Sequence, residues 1–340
     1  MKKTLIASAI AAATFSGSAL AQESNLPTVY GNIQYAAVWD DIKDGPSSFE
    51  HRDNGSTLGV KHDHEIAPGI TGFFKLELEG LAADDKDQES GLEDVDEAYI
   101  GVKGDSFGQV WIGSDDSTYE RSTDVIAQYY EAADLSLGAG YTTGEGDLVQ
   151  YMSPSFGGLS LWGAVQVRGD GDPENDTGDN QFPYQLAAVY SADVFELALA
   201  MDSNDNGDGN NENTYGLRGT ANLDNLSLTA EYHTRKDVQD KYGVIGIYTM
   251  GANRFALSYE QVEYDDGRAE DTVDTITLQA LHNLSDNMYV YVEGYLGGGD
   301  EVYGGKDAVD PTFDNPTGDP AVAPYSDERS VAAIGAVYYF

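Results

Sequence analysis

The chain has 340 residues, with 59 acidic against 18 basic side chains, a formal charge of −41 and no cysteine. Such an acid excess excludes nucleic-acid binding by counterion release, which needs clustered Lys and Arg, and the lack of Cys excludes disulfides and thiolate–metal sites. Acidity of this size bears on solubility and partners, through solvated, repelling loops or adaptation to a saline habitat, and not on the fold.

The first segment reads as a cleaved secretory signal over 1–21. Lys2 and Lys3 form the basic start, Leu5 to Phe15 the apolar middle, and Ala19-Leu20-Ala21 the small-residue cleavage site. The apolar stretch is too short for a transmembrane helix. Its removal takes away two lysines and no acids, leaving a mature domain over 22–340 with charge −43. No later stretch is apolar for long enough to span a bilayer as a helix.

The mature chain reads as about sixteen strands: 27–39, 57–65, 70–80, 95–104, 109–114, 148–153, 159–168, 184–191, 194–202, 214–223, 226–235, 242–250, 253–264, 273–284, 287–297 and 329–340. The period of two is clear in 226–235. There Leu226, Leu228, Ala230 and Tyr232 oppose Ser227, Thr229, Glu231, His233 and Arg235. In 70–80, Ile70, Gly72, Phe74, Leu76 and Leu78 oppose Thr71, Phe73, Lys75, Glu77 and Glu79. Short connections rich in turn formers (67–69, 105–108, 153–157, 224–225, 251–253, 285–287) are expected to alternate with long acidic ones (40–56, 81–94, 169–183, 203–213, 298–328). The last strand, Val331 to Phe340, places Ala332, Ile334, Ala336, Tyr338 and Phe340 on one apolar face, as a lipid-facing strand ends at a membrane interface. In lipid every backbone polar group must be paired internally, so a spanning chain without apolar helices must close into a barrel. The expected fold is all-β: a transmembrane antiparallel β-barrel whose lumen stays open to water.

Specific runs carry a family resemblance. Tyr30-Gly31-Asn32-Ile33, Ser56-Thr57-Leu58-Gly59-Val60-Lys61, Ala98-Tyr99-Ile100-Gly101-Val102-Lys103, Phe107-Gly108-Gln109-Val110-Trp111-Ile112-Gly113 and Val149-Gln150-Tyr151-Met152-Ser153-Pro154 resemble successive strands of Gram-negative general diffusion porins. The resemblance spans nearly the whole mature chain. It implies a homotrimer in the outer membrane, in contact with lipid and lipopolysaccharide, and a third external loop that folds inward to narrow the pore. The terminal Tyr338 and Phe340 resemble the signal by which such barrels are recognised for insertion.

The inward loop falls between Gly113 and Leu148. Val125, Ile126, Tyr129 and Tyr130 recur at helical spacing, with Ser122 or Thr123 as the expected cap. A loop inside a lumen needs apolar residues to pack on the wall. Asp115, Asp116, Glu120, Asp124, Glu131 and Asp134 are the candidate negative charges at the constriction. In the family such a loop usually faces arginines on the opposite wall, and this chain departs from that pattern. The corresponding positions hold Asn32, Thr57, Ser114 and Gln150, and the expected inward cations are Lys61, Lys75, Lys103 and Arg218. A negative lumen and cation selectivity follow from that reading.

Other constellations are weak. Asp202, Asn204, Asn206 and Asp208 match the front half of a calcium loop, but Asn213 stands where a bidentate Glu belongs. A solvated hairpin tip accounts for the same residues, and diffuse Ca²⁺ or Mg²⁺ binding by crowded loop carboxylates is the metal association expected. His62 and His64 share a strand face without a third zinc ligand. No nucleophile motif, phosphate loop or dinucleotide fingerprint is present, and no cofactor or catalytic residue is expected. The sequence therefore reads as a non-enzymatic diffusion channel for small hydrophilic solutes and cations. A substrate-selective channel and, further off, a barrel enzyme remain as alternatives. A structural anchor would need a periplasmic domain, which a chain ending on its last strand is not expected to carry.

Overall fold

The computed structural model describes residues 26–84, 94–168, 181–205, 212–265, 272–303 and 326–340. The expected signal segment lies outside them. Seventeen strand segments follow one another: β1 (Thr28–Ile42), β2 (Ser47–Asp53), β3 (Thr57–Ala67), β4 (Ile70–Glu79), β5 (Asp94–Gly104), β6 (Gly108–Ser114), β7 (Leu148–Met152), β8 (Leu159–Gln166) and β9 (Tyr184–Ser191). They continue with β10 (Phe195–Asp202), β11 (Thr214–Leu223), β12 (Leu226–Arg235), β13 (Gln239–Met250), β14 (Asn253–Tyr264), β15 (Thr272–Ser285), β16 (Met288–Tyr303) and β17 (Ser326–Tyr339). One short helix, α1 (Thr118–Ser122), sits between β6 and β7.

Consecutive strands pair antiparallel, β2 and β3 excepted, and β17 returns to β1 over Asn32↔Tyr339 to Ile42↔Arg329. Gly31 and Phe340 exchange both backbone hydrogen bonds at that junction. The sheet thus closes with no free edge, as a spanning sheet must. β2 and β3 both pair with β1, at its two ends. They are two halves of one stave interrupted at 54–56, so seventeen segments make sixteen staves. This corrects the expected loop over 40–56: Ser47–Asp53 is strand, joined to β1 by a short turn. The reason is visible in register, since Trp39 lies opposite Phe49 with ring centroids 4.7 Å apart, a cross-strand aromatic pair.

The tight turns after β3, β5, β7, β9, β11, β13 and β15 fall at one end of the barrel. At the other end the alternation of long and short fails at 236–238, a short connection between β12 and β13. The outer face is apolar and uncovered: Leu199, Leu257, Leu278, Val292 and Ile334 are each about half exposed. Tyr338 and Phe340 stand on that face, while Val331, Ala333 and Val337 are buried on the inner side. No described helix is long and apolar enough to cross a membrane; strands do the crossing. The apolar core is not between sheets. It lies inside the barrel, where Ile126, Tyr130 and Leu135 of the β6–β7 connection pack on Ala36, Val38, Ile245, Ala256, Tyr295, Val331 and Ala333 of the wall.

Candidate pore constriction

The 115–147 segment enters the lumen because of its root. Gly113 has φ +131°, and a Cβ there would meet the Ala98 carbonyl oxygen at 2.1 Å, so only glycine lets the chain leave β6 this close to β5. α1 follows at once. Ser117 caps it, its hydroxyl accepting from the Glu120 amide at 3.1 Å. The helix therefore lies upstream of the expected position: Ser122 and Thr123 end it, and 125–130 is irregular. The apolar spacing there marks wall contact and not helix, because Ile126 and Tyr130 are held by separate strands.

The docked side of the loop follows the wall from β9 to β16. The Tyr119 amide donates to Gln185 Oε1 (2.9 Å) and its ring packs with Ala187 and Ala200. Arg218 Nε donates to the Ser122 carbonyl (2.7 Å). Further along, one Glu231 carboxylate oxygen accepts the amides of Val125 and Ile126, both at 3.3 Å. Tyr130 donates to Ser258 Oγ (2.8 Å), and Glu293 accepts the amides of Glu131 and Ala132 (2.8 and 2.9 Å). Arg52 on β2 then grips Asp134 at 3.0 Å. The return limb is tied by Thr142 to Asn204 and by Thr143 to Asp202.

At the centre of this track is a charged latch. Lys241 is fully buried, with Asp124 Oδ1 at 2.6 Å and Glu231 and Glu260 each at 3.1 Å. His233 Nδ1 shares a hydrogen bond with the Tyr119 hydroxyl (2.8 Å), and its Nε2 faces Glu231 at 3.6 Å and Asp124 at 4.0 Å. Asp124 also accepts the Ala139 amide, so one side chain ties both limbs of the loop. Three carboxylates tolerate burial together because an ammonium sits among them. Asp124, Glu231 and His233 are close enough to hold a metal ion, but the Lys241 ammonium already occupies the place between the carboxylates. Sequence reasoning missed Lys241, Arg52 and Arg121. The signal for Lys241 was its inward phase, opposite His233 on β12.

The six candidate loop acids are all present in the constriction, and their placement changes what they do. Asp115, Asp116, Glu120, Asp124 and Glu131 are buried against wall or loop. Asp115 accepts from Trp111 Nε1 (2.7 Å) and pairs with Arg121 (3.5 Å); Glu131 accepts from Tyr289 (2.9 Å). Asp116, Glu120 and Glu145 converge as a second cluster. These groups lie on the loop, outside the spanning strands. Burial, reinforced by the charge of Asp115, raises the Asp116 carboxyl to about 7. Burial, then the charges of Asp116 and Glu145, pushes Glu120 up to about 9. Glu120 thus keeps its proton at neutral pH.

The expected wall residues divide. Asn32 and Thr57 face inward and bond each other at 2.8 Å. Gln150 is inward but not opposite the loop: it lies under the loop's root, donating to Asp115 at 3.3 Å and accepting from Thr118 at 3.0 Å. Ser114 is a correction. It pairs with Ala98 in the register of Ile100 and Ile112, both exposed on the outer face, and Trp111 takes the inward position. Arg218 is inward but bound to Glu196 at 2.5 Å. Lys61, Lys75 and Lys103 line the inner side of β3–β5, the wall the loop leaves open. Lys75 pairs with Glu77 and Glu97, Lys103 with Asp63, and Lys61 lies 4.7 Å above the Tyr30 ring.

Of the calcium candidates, Asn206 and Asp208 lie outside the described residues. Asp202 and Asn204 are spent on the loop's return limb, as above. The crowded carboxylates at 85–93 and 169–180 also lie outside the described residues. His62 and His64 stack at 5.3 Å on the outer face of β3.

Comparison with known proteins bears on this arrangement. The profile described as Gram-negative porin matches residues 7–300. A Halomonas sp. protein named monosaccharide porin is 31% identical over 328 residues, covering 91% of this chain and 80% of its own length. A Halomonas elongata protein named major outer membrane protein matches to the same extent. Among solved structures, Salmonella typhi OmpF in complex with daunomycin aligns with TM-score 0.69 at 18% identity, over 94% of this chain and 99% of that one. An anion-selective porin from Comamonas acidovorans aligns with TM-score 0.68 at 16% identity, over 93% and 99%. At these identities the structures speak for the fold alone.

Proposed function

This chain belongs to the Gram-negative porin family, outer-membrane channels for passive diffusion, and on that footing we propose a homotrimeric, cation-preferring pore for small hydrophilic solutes, monosaccharides among them. The observation that carries the cation preference is the loop itself. Residues 115–147 hold eight acids and one arginine, and they are docked inside the lumen. Arg52 and Lys241 take up one charge each, and the proton on Glu120 removes another, yet acid remains in excess. A unit charge about 6 Å from a permeating ion contributes roughly 0.7 kcal/mol even at the dielectric of water, about threefold in local ion population. The lysines of β3–β5 oppose this field but are fewer, and two of the three are paired.

Sugars enter the proposal from the relative named monosaccharide porin, and the trimer from family resemblance. Reversal potentials across planar bilayers in asymmetric KCl test the selectivity: a positive shift toward the K⁺ potential is expected, strong in dilute salt and fading toward molar salt as screening shortens. An anion-selective channel would overturn it. Conductance steps in threes test the trimer; single independent steps with a monomeric mass in mild detergent would remove it.

A further inference from the structure

We propose that the tight-turn side of the constriction contains a saturable binding subsite for a monosaccharide, held between the underside of the loop and β8–β13. The proposal rests on the porin reading above and adds a location and a ligand geometry to it. A pocket of about 460 Å³ opens there, within the range of small-ligand sites. Its roof is Arg121 and Gln128 of the loop. Its floor carries Trp162, Glu196 and Arg218, all on inward positions of the barrel wall.

Three features together match a neutral polyol ring. The first is charge balance. Arg218 is committed to Glu196 at 2.5 Å, to the Ser122 carbonyl at 2.7 Å and to Thr220 Oγ1 at 2.9 Å, so the floor presents a neutralised, fixed pair and not a bare cation. The second is an aromatic surface. Trp162 is half-buried, its indole N–H is already donated to Ser160 Oγ at 3.0 Å, and its remaining contact area is carbon, suited to the C–H face of a sugar. The third is polar groups on the pocket's roof. The Arg121 guanidinium lies over the Trp162 ring, 5.9 Å from its centroid, with Nη2 donated to Gln150, and Gln128 is partly exposed on the same lining. Planar donors and acceptors next to an aromatic plate reach the vicinal hydroxyls of a stacked ring. The acidic side of the constriction lies elsewhere, among Asp116, Glu120 and Glu145, so a neutral solute passes from a charged gate to an uncharged resting place. Binding must stay weak for the solute to leave, on the order of millimolar.

The experiment is uptake of D-glucose into liposomes bearing the purified trimer, over a concentration series, for the wild type, Trp162→Leu and Gln128→Ala. Each preparation is first shown to hold an open pore by its KCl conductance. Wild-type flux is expected to saturate. Trp162→Leu is expected to raise the half-saturation concentration about tenfold, the size of a lost aromatic contact, and Gln128→Ala a few-fold in the same direction. Gln128→Ala keeps the proposal testable if Trp162→Leu gives no open pore. Flux linear in glucose, or half-saturation unchanged in both variants, would overturn the subsite while the KCl conductance left the porin reading standing. Saturation by D-gluconate but not D-glucose would overturn it in favour of an anion held by the guanidinium groups. A wild type without KCl conductance would count against the porin reading instead.

Discussion

The wall that the loop covers and the wall that it leaves open use the same residue types for different ends. On β9–β16, Glu231, Glu260, His233 and Lys241 are buried in one cluster, Glu293 is buried apart from it against the Glu131 and Ala132 amides, and these groups hold the loop in place. On β3–β5, Lys61 and Lys103 stand partly exposed on the inner side, where a charge is open to the lumen, while Lys75 is itself held between Glu77 and Glu97. A count of lumenal charges treats the two alike. The structure separates them by burial: an ion pair in a dry seam is a mechanical tie, whereas one in the pore is a source of field.

The largest expected effect breaks the covered wall. Lys241→Met leaves Asp124, Glu231 and Glu260 buried together with no ammonium, a defect of about 3–5 kcal/mol by analogy with broken buried pairs. The loop should then leave the wall, and single-channel conductance and open-channel noise should both rise. A variant with wild-type conductance and noise would show that the latch does not hold the loop.

Next is a steric version of the same break with no charge altered. A Cβ on Gly216 would meet Thr123 Oγ1 and the Tyr119 hydroxyl at 2.7 Å and His233 Nδ1 at 3.0 Å. Gly216→Ala is expected to weaken loop docking by about 1–3 kcal/mol, the usual range for overpacking. It should raise protease sensitivity within 115–147 while the barrel stays resistant. Equal resistance of loop and barrel in this variant would place the seam elsewhere.

The open wall is tested by Lys61→Glu, which reverses a charge without an ion-pair partner among the described residues. Two units of charge change near the permeation path should raise the K⁺ to Cl⁻ permeability ratio about tenfold in dilute KCl, with little effect on loop docking. A ratio unchanged at low salt would mean that β3–β5 do not line the path.

The smallest effect sharpens the boundary between tie and field. Glu120 is protonated at neutral pH, with its carboxyl raised to about 9 by burial and by its acidic neighbours, and Asp116 to about 7. Raising the pH through 7 to 9 should therefore add negative charge to the constriction and increase cation preference about threefold at low salt. The same rise should loosen the loop. The folded state binds these protons more tightly than the unfolded chain, so stability present below the ordinary carboxylate range is lost as pH climbs toward 9. Glu120→Gln should remove the upper part of both responses. A flat selectivity from pH 6 to 10 in the wild type would assign these carboxyls no part in the field.

The barrel was legible in the sequence because its rule is local. Strand period two, a lipid-facing set such as Ile334, Tyr338 and Phe340, and turn residues at one end each depend on a few neighbouring residues, and the requirement to pair every backbone group in lipid closes the sheet. The inward loop was expected chiefly from the family resemblance, with the apolar Ile126 and Tyr130 in support. What the sequence left open was phase and partnership. Ser114 follows the outward Ile112 by two residues in an unbroken ladder, so alternation alone turns it outward, and the family resemblance that placed it inward did not take account of that phase. Lys241 is 117 residues from Asp124, and Arg52 is 82 from Asp134. Such pairs exist only once sixteen staves have curved round to bring β13 and β2 against the same loop. Composition set the sign of the charge; only the closed tertiary structure decided which carboxylates face water and which are tied into the seam.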